Sequence, residues 1–114
     1  MKAIYRIRAL AKVCTDFSAA SRKYSYIMTE LILKRIEQIQ YADDVESLIS
    51  TKIGRCHALK GDRAGQYAMD LVYPYRLVFE RIGDVVQIAR IVAITDYHLR
   101  KTSGAEGNKN VVFS

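Results

Sequence analysis

The sequence has few cysteines, the residues that cross-link small secreted domains and often bind metal ions. It contains two cysteines, Cys14 and Cys56, and neither belongs to a CxxC motif or to a Cys/His pattern with the spacing of metal ligands. Two cysteines are also too few to hold together a domain that is already 50% hydrophobic. We therefore expect both to be buried or inert thiols, as in cytoplasmic proteins.

The sequence also lacks a long hydrophobic run, an internal repeat and a low-complexity segment. No stretch reaches the roughly 18 uninterrupted apolar residues that a membrane-crossing helix needs. Arg6, Arg8 and Lys12 are scattered through the apolar positions of the N-terminus, which is not the layout of a signal peptide. We expect a cytoplasmic protein with no membrane partner.

The chain is small and carries a net positive charge. Its 114 residues allow one domain and exclude a second catalytic domain. Lysine and arginine number 18 against 12 acidic residues, a formal net charge of +6. That excess points to a polyanionic partner without identifying it.

The apolar pattern predicts helices in the first half and strands in the second. Residues 1–8 alternate like a short strand, residues 10–24 and 26–42 repeat apolar positions with helical spacing, and Asp43 with Glu46 indicates the start of a further short helix. After Gly54 the period changes to two, and strands are predicted over residues 66–72, 75–81 and 85–97. The predicted fold is α+β, with a helical pair covering one face of an antiparallel meander.

Two clusters of residues are able to carry chemistry. The loop over residues 57–65 brings His57, Lys60 and Arg63 together between two glycines, which suits phosphate binding but also describes an ordinary solvated loop. Asp96, Tyr97 and His98 follow one another at the end of the last long strand and are all able to transfer or orient protons. The alternative for this triplet is a polar strand end without a role.

Arg76 and three tyrosines complete the set of candidates. Arg76 lies in an otherwise apolar strand, so it either extends to the sheet edge or faces an anion-binding groove. Tyr24, Tyr26 and Tyr41 lie near helix ends and are interpreted as core or rim packing, without a functional role.

At this point the sequence resembles a known family. The segments GRCHALKGDRAGQYAMDLVYPYRLVFE and VAITDYH are similar to the HigB-like branch of the RelE/ParE superfamily of bacterial toxin-antitoxin toxins, and most of all to its small plasmid-maintenance "killer" proteins. The resemblance covers residues 1–98, which we take as the toxin domain. It implies a compact RelE-like fold.

The resemblance also implies an activity and partners. Such a toxin is an mRNA endoribonuclease that acts on the translating ribosome, uses neither metal nor cofactor, and is held inactive by a cognate helix-turn-helix antitoxin. The ribose 2′-hydroxyl attacks the adjacent phosphate, which leaves a cyclic phosphate and a free 5′-hydroxyl, and translation stops.

The catalytic residues of the family carry over to His57, Arg76, Asp96, Tyr97 and His98. The resemblance implies that His57 and His98 transfer protons, that Asp96 orients or tunes a histidine and that Tyr97 positions the nucleotide. Arg76, with Lys60 and Arg63 as RNA-binding residues, would hold phosphate, because the pentacovalent intermediate carries extra negative charge.

One departure from the family concerns residues 99–114, since the Asp-Tyr-His triplet often ends the chain in this family. Its content of Gly, Ser, Asn and Lys favours a flexible tail; an extra pairing strand or a partial cover over the site are the alternatives. Two other functions stay open as well: a ParE-like toxin that binds DNA gyrase without ribonuclease activity, and an inactive homologue that survives as a binding module.

Overall fold

The computed structural model describes residues 1–96 and the backbone of Val111–Phe113. The helices are α1 (Arg8–Thr15), α2 (Phe17–Ser21), α3 (Tyr26–Tyr41) and α4 (Val45–Ser50). The strands are β1 (Lys2–Tyr5), β2 (His57–Ala58), β3 (Gln66–Asp70), β4 (Tyr75–Ile82), β5 (Ile88–Asp96) and β6 (Val111–Phe113). Short 3₁₀ turns occupy Ile53–Arg55 and Gly61–Arg63. The predicted α+β class, with helices first and a meander after them, is confirmed.

The helix predicted over residues 10–24 is interrupted at Asp16. This residue is extended, with φ −132° and ψ 112°, and its carboxylate accepts a hydrogen bond from the Ser18 amide at 3.0 Å. The side chain thereby caps α2 and ends α1, so the prediction of one continuous helix is wrong at this point. The apolar stripe nevertheless continues across the break, since Leu10, Cys14 and Ala20 are all buried.

Two of the other three helix starts, those of α3 and α4, depend on similar side-chain caps. Ser25 accepts a hydrogen bond from the Met28 amide at 3.1 Å and begins α3. Asp44 accepts one from the Ser47 amide at 2.8 Å and begins α4. The cap of α4 is thus one residue later than the Asp43 predicted from the spacing to Glu46.

The sheet has the strand order β1-β5-β4-β3-β2. β1 pairs with β5 in parallel and the remaining pairs are antiparallel. The meander begins earlier than predicted, because His57 and Ala58 of the predicted basic loop form β2 and pair with β3. The third long strand is shorter than predicted, since Val85–Gln87 belong to the turn before β5.

Part of the predicted tail is a sixth strand. β6 lies antiparallel to β5, with Phe113 opposite Ile94 and Val111 opposite Thr95. These three residues therefore form the extra pairing strand that was one of the alternatives for residues 99–114. The rest of that tail lies outside the described residues.

The two faces of the sheet have different surroundings. The inner face, which α1–α4 cover, supplies Met69, Leu77, Phe79, Ile91 and Ile94 to the main core. The outer face is turned away from these helices, and alternate residues of the same strands form a small second cluster there, namely Ala68, Val78, Val92 and Ala93 with Leu59 from the loop after β2. Leu59 thus anchors the basic loop to the outer face.

The remaining expectations for single residues have mixed outcomes. Cys14 and Cys56 are both free and buried, as predicted. Tyr24 packs edge-on against Tyr75 with ring centroids 6.3 Å apart, but Tyr41 is 92% exposed, so the packing interpretation is wrong for Tyr41. Within residues 1–96 and 111–113, no helix combines the length and hydrophobicity needed to span a membrane.

Candidate functional site

The polar candidates of the sheet lie mainly on its outer face. Residues paired across antiparallel strands project to the same side. His57 is paired with Ala68, and Arg76 is paired with Asp70 on one side and Thr95 on the other. Since Ala68 belongs to the outer cluster and Asp70 follows it by two residues, His57, Asp70 and Arg76 share the outer face.

The spacing of this sheet puts His57 and Arg76 within range of one substrate. They are two strands and two residues apart, which corresponds to roughly 12 Å between their Cα atoms at ordinary strand spacing and rise. Contact of both side chains with one RNA backbone stays a prediction.

The ring of His57 is held by the chain immediately before it. Its Nδ1 lies 2.9 Å from the main-chain oxygen of Arg55. A carbonyl oxygen only accepts, so Nδ1 carries the proton and donates it to Arg55. This hydrogen bond fixes the neutral ring in one tautomer, with the lone pair on Nε2, where it is available to take up a proton.

The turn that presents this carbonyl is left-handed at three positions. Lys52, Gly54 and Arg55 have φ values of 58°, 58° and 52°. Positive φ is costly for residues with a Cβ, by roughly 1–2 kcal/mol each. At Gly54 a Cβ would also come within 2.8 Å of Arg35 Nε, so a larger residue at this position would have to displace the Arg35 side chain.

Asp70 holds the turn in place through two arginines. Arg55 Nε donates to Asp70 Oδ2 at 2.7 Å and Arg55 Nη2 donates to Oδ1 at 2.9 Å, a bidentate pair. Arg35 Nε donates to the main-chain oxygen of Asp70 at 2.7 Å. Burial lowers the pKa of Arg35, and the nearby Asp70 partly opposes that shift. The two-point geometry fixes the orientation of the Arg55 guanidinium plane.

Arg76 is 5% exposed, so it does not extend to solvent at the sheet edge. The interpretation in which it extends to the sheet edge is therefore wrong, and the interpretation in which it faces an anion-binding groove stays a prediction. A buried guanidinium carries its full charge, because arginine does not lose its proton in proteins. It therefore provides a fixed positive charge on the outer face.

Asp96 lies on the other side of the sheet from Arg76. It is paired with Tyr75, whose side chain packs against the main core on the inner face. It is half-buried at the end of β5. The structure thus brings His57 and Arg76 to one face and puts Asp96 at the sheet end on the opposite face, while Tyr97 and His98 lie outside the described residues.

Lys60 and Arg63 border the outer face. Lys60 is exposed, and Arg63 Nη1 donates to Gln66 Oε1 at 3.3 Å. Leu59 precedes them and is anchored in the outer cluster, so the 3₁₀ turn that follows is held beside the sheet. Both cations are therefore close to the face that carries His57 and Arg76.

Sequence reasoning missed Arg55 and Asp70. The pair is separated by 15 residues and depends on a left-handed turn that no local pattern indicates. A weaker signal is present in β3, where the polar residues Gln66 and Asp70 are both on the side of the strand opposite Tyr67 and Met69.

Two cavities differ in their relation to this site. One of about 120 Å³ lies at the turn between β3 and β4 and is lined by Arg55, Asp70, Tyr73 and Arg76 among others. A larger and mainly apolar one of about 640 Å³ lies between the end of α3 and α4 and includes none of the predicted site residues. The small cavity is the one that belongs to the site.

Comparison with known proteins gives a fold relationship. No protein-family model and no curated protein matches the chain. A solved structure of a YoeB/ParE toxin from Agrobacterium tumefaciens superposes on it with a TM-score of 0.57 at 20% sequence identity, covering 82% of this chain and 95% of that one. The chain therefore has the fold of a RelE/ParE-like toxin.

Proposed function

We propose that the protein is the toxin of a type II toxin-antitoxin system and that it acts as an mRNA endoribonuclease on the ribosome. The toxin-like fold and the net charge of +6 support this proposal. The observation that carries it is the juxtaposition of His57, with a fixed tautomer, and the buried Arg76 on one face of the sheet. The HigB-like assignment rests on the sequence motifs.

The proposed reaction needs a base, an acid and a cation. The base removes the proton of the ribose 2′-hydroxyl, and the oxygen attacks the adjacent phosphorus. The bond from phosphorus to the 5′-oxygen breaks, and the acid protonates the leaving oxygen, giving a 2′,3′-cyclic phosphate and a 5′-hydroxyl. We assign proton transfer to His57 and His98 and stabilisation of the phosphorane to Arg76.

The other predicted residues have supporting roles in this proposal. Lys60 and Arg63 bind flanking phosphates beside the outer face. Tyr97 positions the nucleotide, and Asp96 acts on a histidine from the end of β5. A cognate antitoxin is the proposed partner that holds the toxin inactive before it reaches the ribosome.

Mapping of RNA ends after induction tests the proposal. Induced wild-type protein is expected to stop incorporation of labelled methionine early and to produce mRNA fragments with 5′-hydroxyl and cyclic phosphate ends. Replacing His98 with alanine should reduce cleavage by about 10²- to 10⁴-fold, the usual contribution of one acid-base group. A His98→Ala protein as lethal as wild type would contradict the assignment.

A gyrase-binding toxin is the second candidate, because the solved structure that shares this fold is a YoeB/ParE toxin. Such a protein needs no proton-transfer residues. It would stop incorporation of labelled thymidine first, with translation and mRNA intact. Thymidine and methionine incorporation measured in one culture therefore separates the two toxins, and growth that is unaffected by induction would indicate an inactive homologue.

A further inference from the structure

We propose that Asp70 is a positioning residue that decides which nitrogen of the His57 ring carries the proton, and that it acts through the main chain of Arg55. The inference rests on the proposed ribonuclease function only for its kinetic consequence, since the position of the proton is a property of the protein by itself. One residue joins the two groups: the Asp70 carboxylate binds the Arg55 side chain, and the His57 ring binds the Arg55 carbonyl.

The contact between His57 and Arg55 determines the chemistry of the ring. Nδ1 lies 2.9 Å from the main-chain oxygen of Arg55, which only accepts hydrogen bonds. A neutral imidazole carries one proton, so a proton held on Nδ1 leaves Nε2 as the basic nitrogen. If the carbonyl turned away, the ring would be able to place its proton on Nε2 instead, and that tautomer has no lone pair there.

The direction of the carbonyl depends on the backbone of Arg55. This residue is left-handed, with φ 52°, and it follows Gly54, which is left-handed as well. A residue with a Cβ prefers negative φ. Relaxation of Arg55 to an ordinary backbone region would rotate the peptide plane that contains the carbonyl. The hydrogen bond to the ring therefore depends on an interaction that keeps Arg55 in place.

The side chain of Arg55 supplies that interaction. Its Nε donates to Asp70 Oδ2 at 2.7 Å and its Nη2 donates to Oδ1 at 2.9 Å, so both carboxylate oxygens meet one edge of the guanidinium. Asp70 is anchored in turn, because it is paired with Arg76 of β4 and its main-chain oxygen accepts from Arg35 Nε at 2.7 Å. The sheet and α3 thus hold the carboxylate, and the carboxylate holds the turn.

The sizes of the two opposing effects make this ion pair decisive. The side chains of Arg55 and Asp70 are 64% and 39% exposed, so their pair is of the weak, solvent-screened kind. The cost of one left-handed residue is of the same order. Loss of the pair therefore changes the stability of the domain little, but it shifts the population of the turn by up to about fivefold.

Nuclear magnetic resonance of the ring nitrogens tests the inference without reference to catalysis. Long-range proton–nitrogen correlation spectra distinguish a protonated ring nitrogen from one with a lone pair. The chain has two histidines, so comparison with a His98→Ala protein assigns the signals of His57. At about pH 9, where histidine side chains are generally neutral, we expect the proton of His57 on Nδ1 in wild-type protein.

Two variants remove the bidentate pair in different ways. Asp70→Asn loses the carboxylate, whereas Arg55→Lys keeps both charges and replaces the planar fork with a point charge. Each should move part of the proton population to Nε2, so that the two nitrogen signals of the ring approach each other. Arg55→Lys leaves the charge of Asp70 beside Arg76 unchanged, and a shift in this variant is therefore due to the lost fork.

Glu80→Gln is the matched control. Glu80 is another carboxylate of the outer face that forms an ion pair with an arginine, and its partner, Arg90, lies in β5 and not in the turn over residues 52–55. This variant should keep the wild-type signals of the ring. Circular dichroism would establish that each variant is folded.

Cleavage kinetics connect the proton to the proposed reaction. Asp70→Asn and Arg55→Lys should lower kcat by up to about fivefold, in step with the lost fraction of rings protonated on Nδ1. KM should not rise, because neither variant removes a positive charge. A role of this pair in binding RNA would give the opposite pattern, with a raised KM and an unchanged kcat, and would contradict the positioning role.

The outcomes distinguish this inference from the proposed function. A wild-type ring with its proton on Nε2 overturns the inference, and that measurement depends on no variant. Wild-type ring signals in both folded variants also overturn it, even if cleavage falls, because the proton then does not depend on the pair. The expected shift of the ring signals in a protein that cuts no RNA supports the positioning of the ring and removes the nuclease proposal.

Discussion

The inner and outer faces of the sheet are built from alternate residues of the same strands, yet they differ in composition. In β4, Leu77 and Phe79 point inward and are completely buried, whereas Arg76 and Glu80 point outward beside polar partners. The inner face packs against four helices. The outer face has a small apolar cluster, and beside it lie charged residues, among them Arg76, Glu80 and Arg90.

This difference separates stability from the proposed chemistry. Burial of apolar area is the dominant favourable term in folding, and most of it is on the inner face. The exposed ion pair between Arg55 and Asp70 on the outer side contributes little to folding by comparison, since such a pair is worth about 0–1 kcal/mol. Substitutions on the inner face should therefore lower the free energy of unfolding, and substitutions on the outer face should lower activity. The following experiments test that division.

The largest effect is expected from Phe79→Ala on the inner face. Phe79 is completely buried and stacks on Tyr67 with ring centroids 5.6 Å apart. Truncation of a buried phenylalanine costs about 3–5 kcal/mol, which is a large part of the roughly 5–15 kcal/mol that stabilises a domain. Urea unfolding would measure the loss, with the exposed Tyr73→Ala as a control that should change it by less than about 0.5 kcal/mol. A loss below about 1 kcal/mol for Phe79→Ala would break the division between the faces.

The next effect is expected from His57→Ala on the outer face. If His57 transfers a proton, cleavage of ribosome-bound mRNA should fall by about 10²- to 10⁴-fold, while the free energy of unfolding changes by no more than about 1.5 kcal/mol, the typical value of one hydrogen bond. Single-turnover cleavage and urea unfolding of the same preparation give both numbers. The matched control is Ala58→Gly in the same short strand, which changes no titratable group. Unchanged cleavage by the His57 variant would remove this residue from the catalytic pair.

The inner face could be predicted from sequence far more completely than the outer one. The helical spacing of apolar residues is enough to identify the buried side of α3, because hydrophobic periodicity is a local signal. The buried residues with this spacing are Met28, Ile32, Ile36 and Ile39. The interruption at Asp16 was missed because a side-chain cap competes with that period over a single residue.

The outer face depends on contacts between distant residues. His57 and Arg76 were identified from residue type and motif, but their common face follows from strand register. The bidentate ion pair between Arg55 and Asp70 could not be predicted from the sequence. It requires both the left-handed turn at Gly54 and the pairing of β3 with β4. The geometry of the candidate site therefore depends on contacts between residues far apart in the sequence, whereas the buried core follows from local hydrophobic periodicity.

A smaller and opposite effect is expected from Thr29→Val in the core. Thr29 is completely buried in α3, and among the described residues its hydroxyl has no hydrogen-bond partner. Valine has nearly the same shape and removes the cost of that unpaired hydroxyl, so we expect a gain of about 1 kcal/mol, or about 4–8 °C in Tm for a domain of this size. Calorimetry would check the shift. A lower Tm would mean that the hydroxyl is paired, and the packing against the inner face would then include a polar contact.

The smallest effect concerns the two thiols and emerges only in alkali. Burial raises the pKa of Cys56 to about 11 and that of Cys14 to about 12, whereas both thiols ionise near 9 when exposed. The folded state therefore keeps protons that the unfolded chain loses, so the thiols contribute stability that is fully present below pH 9 and is lost as the pH rises from about 9 to 12. Urea unfolding at pH 7 and pH 10 should reveal a decrease in wild type that is smaller in Cys56→Ala. Iodoacetamide, which reacts with thiolates, should label neither cysteine of the folded protein at pH 8 and both after unfolding; rapid labelling of the native protein would show that the helices do not seal the inner face.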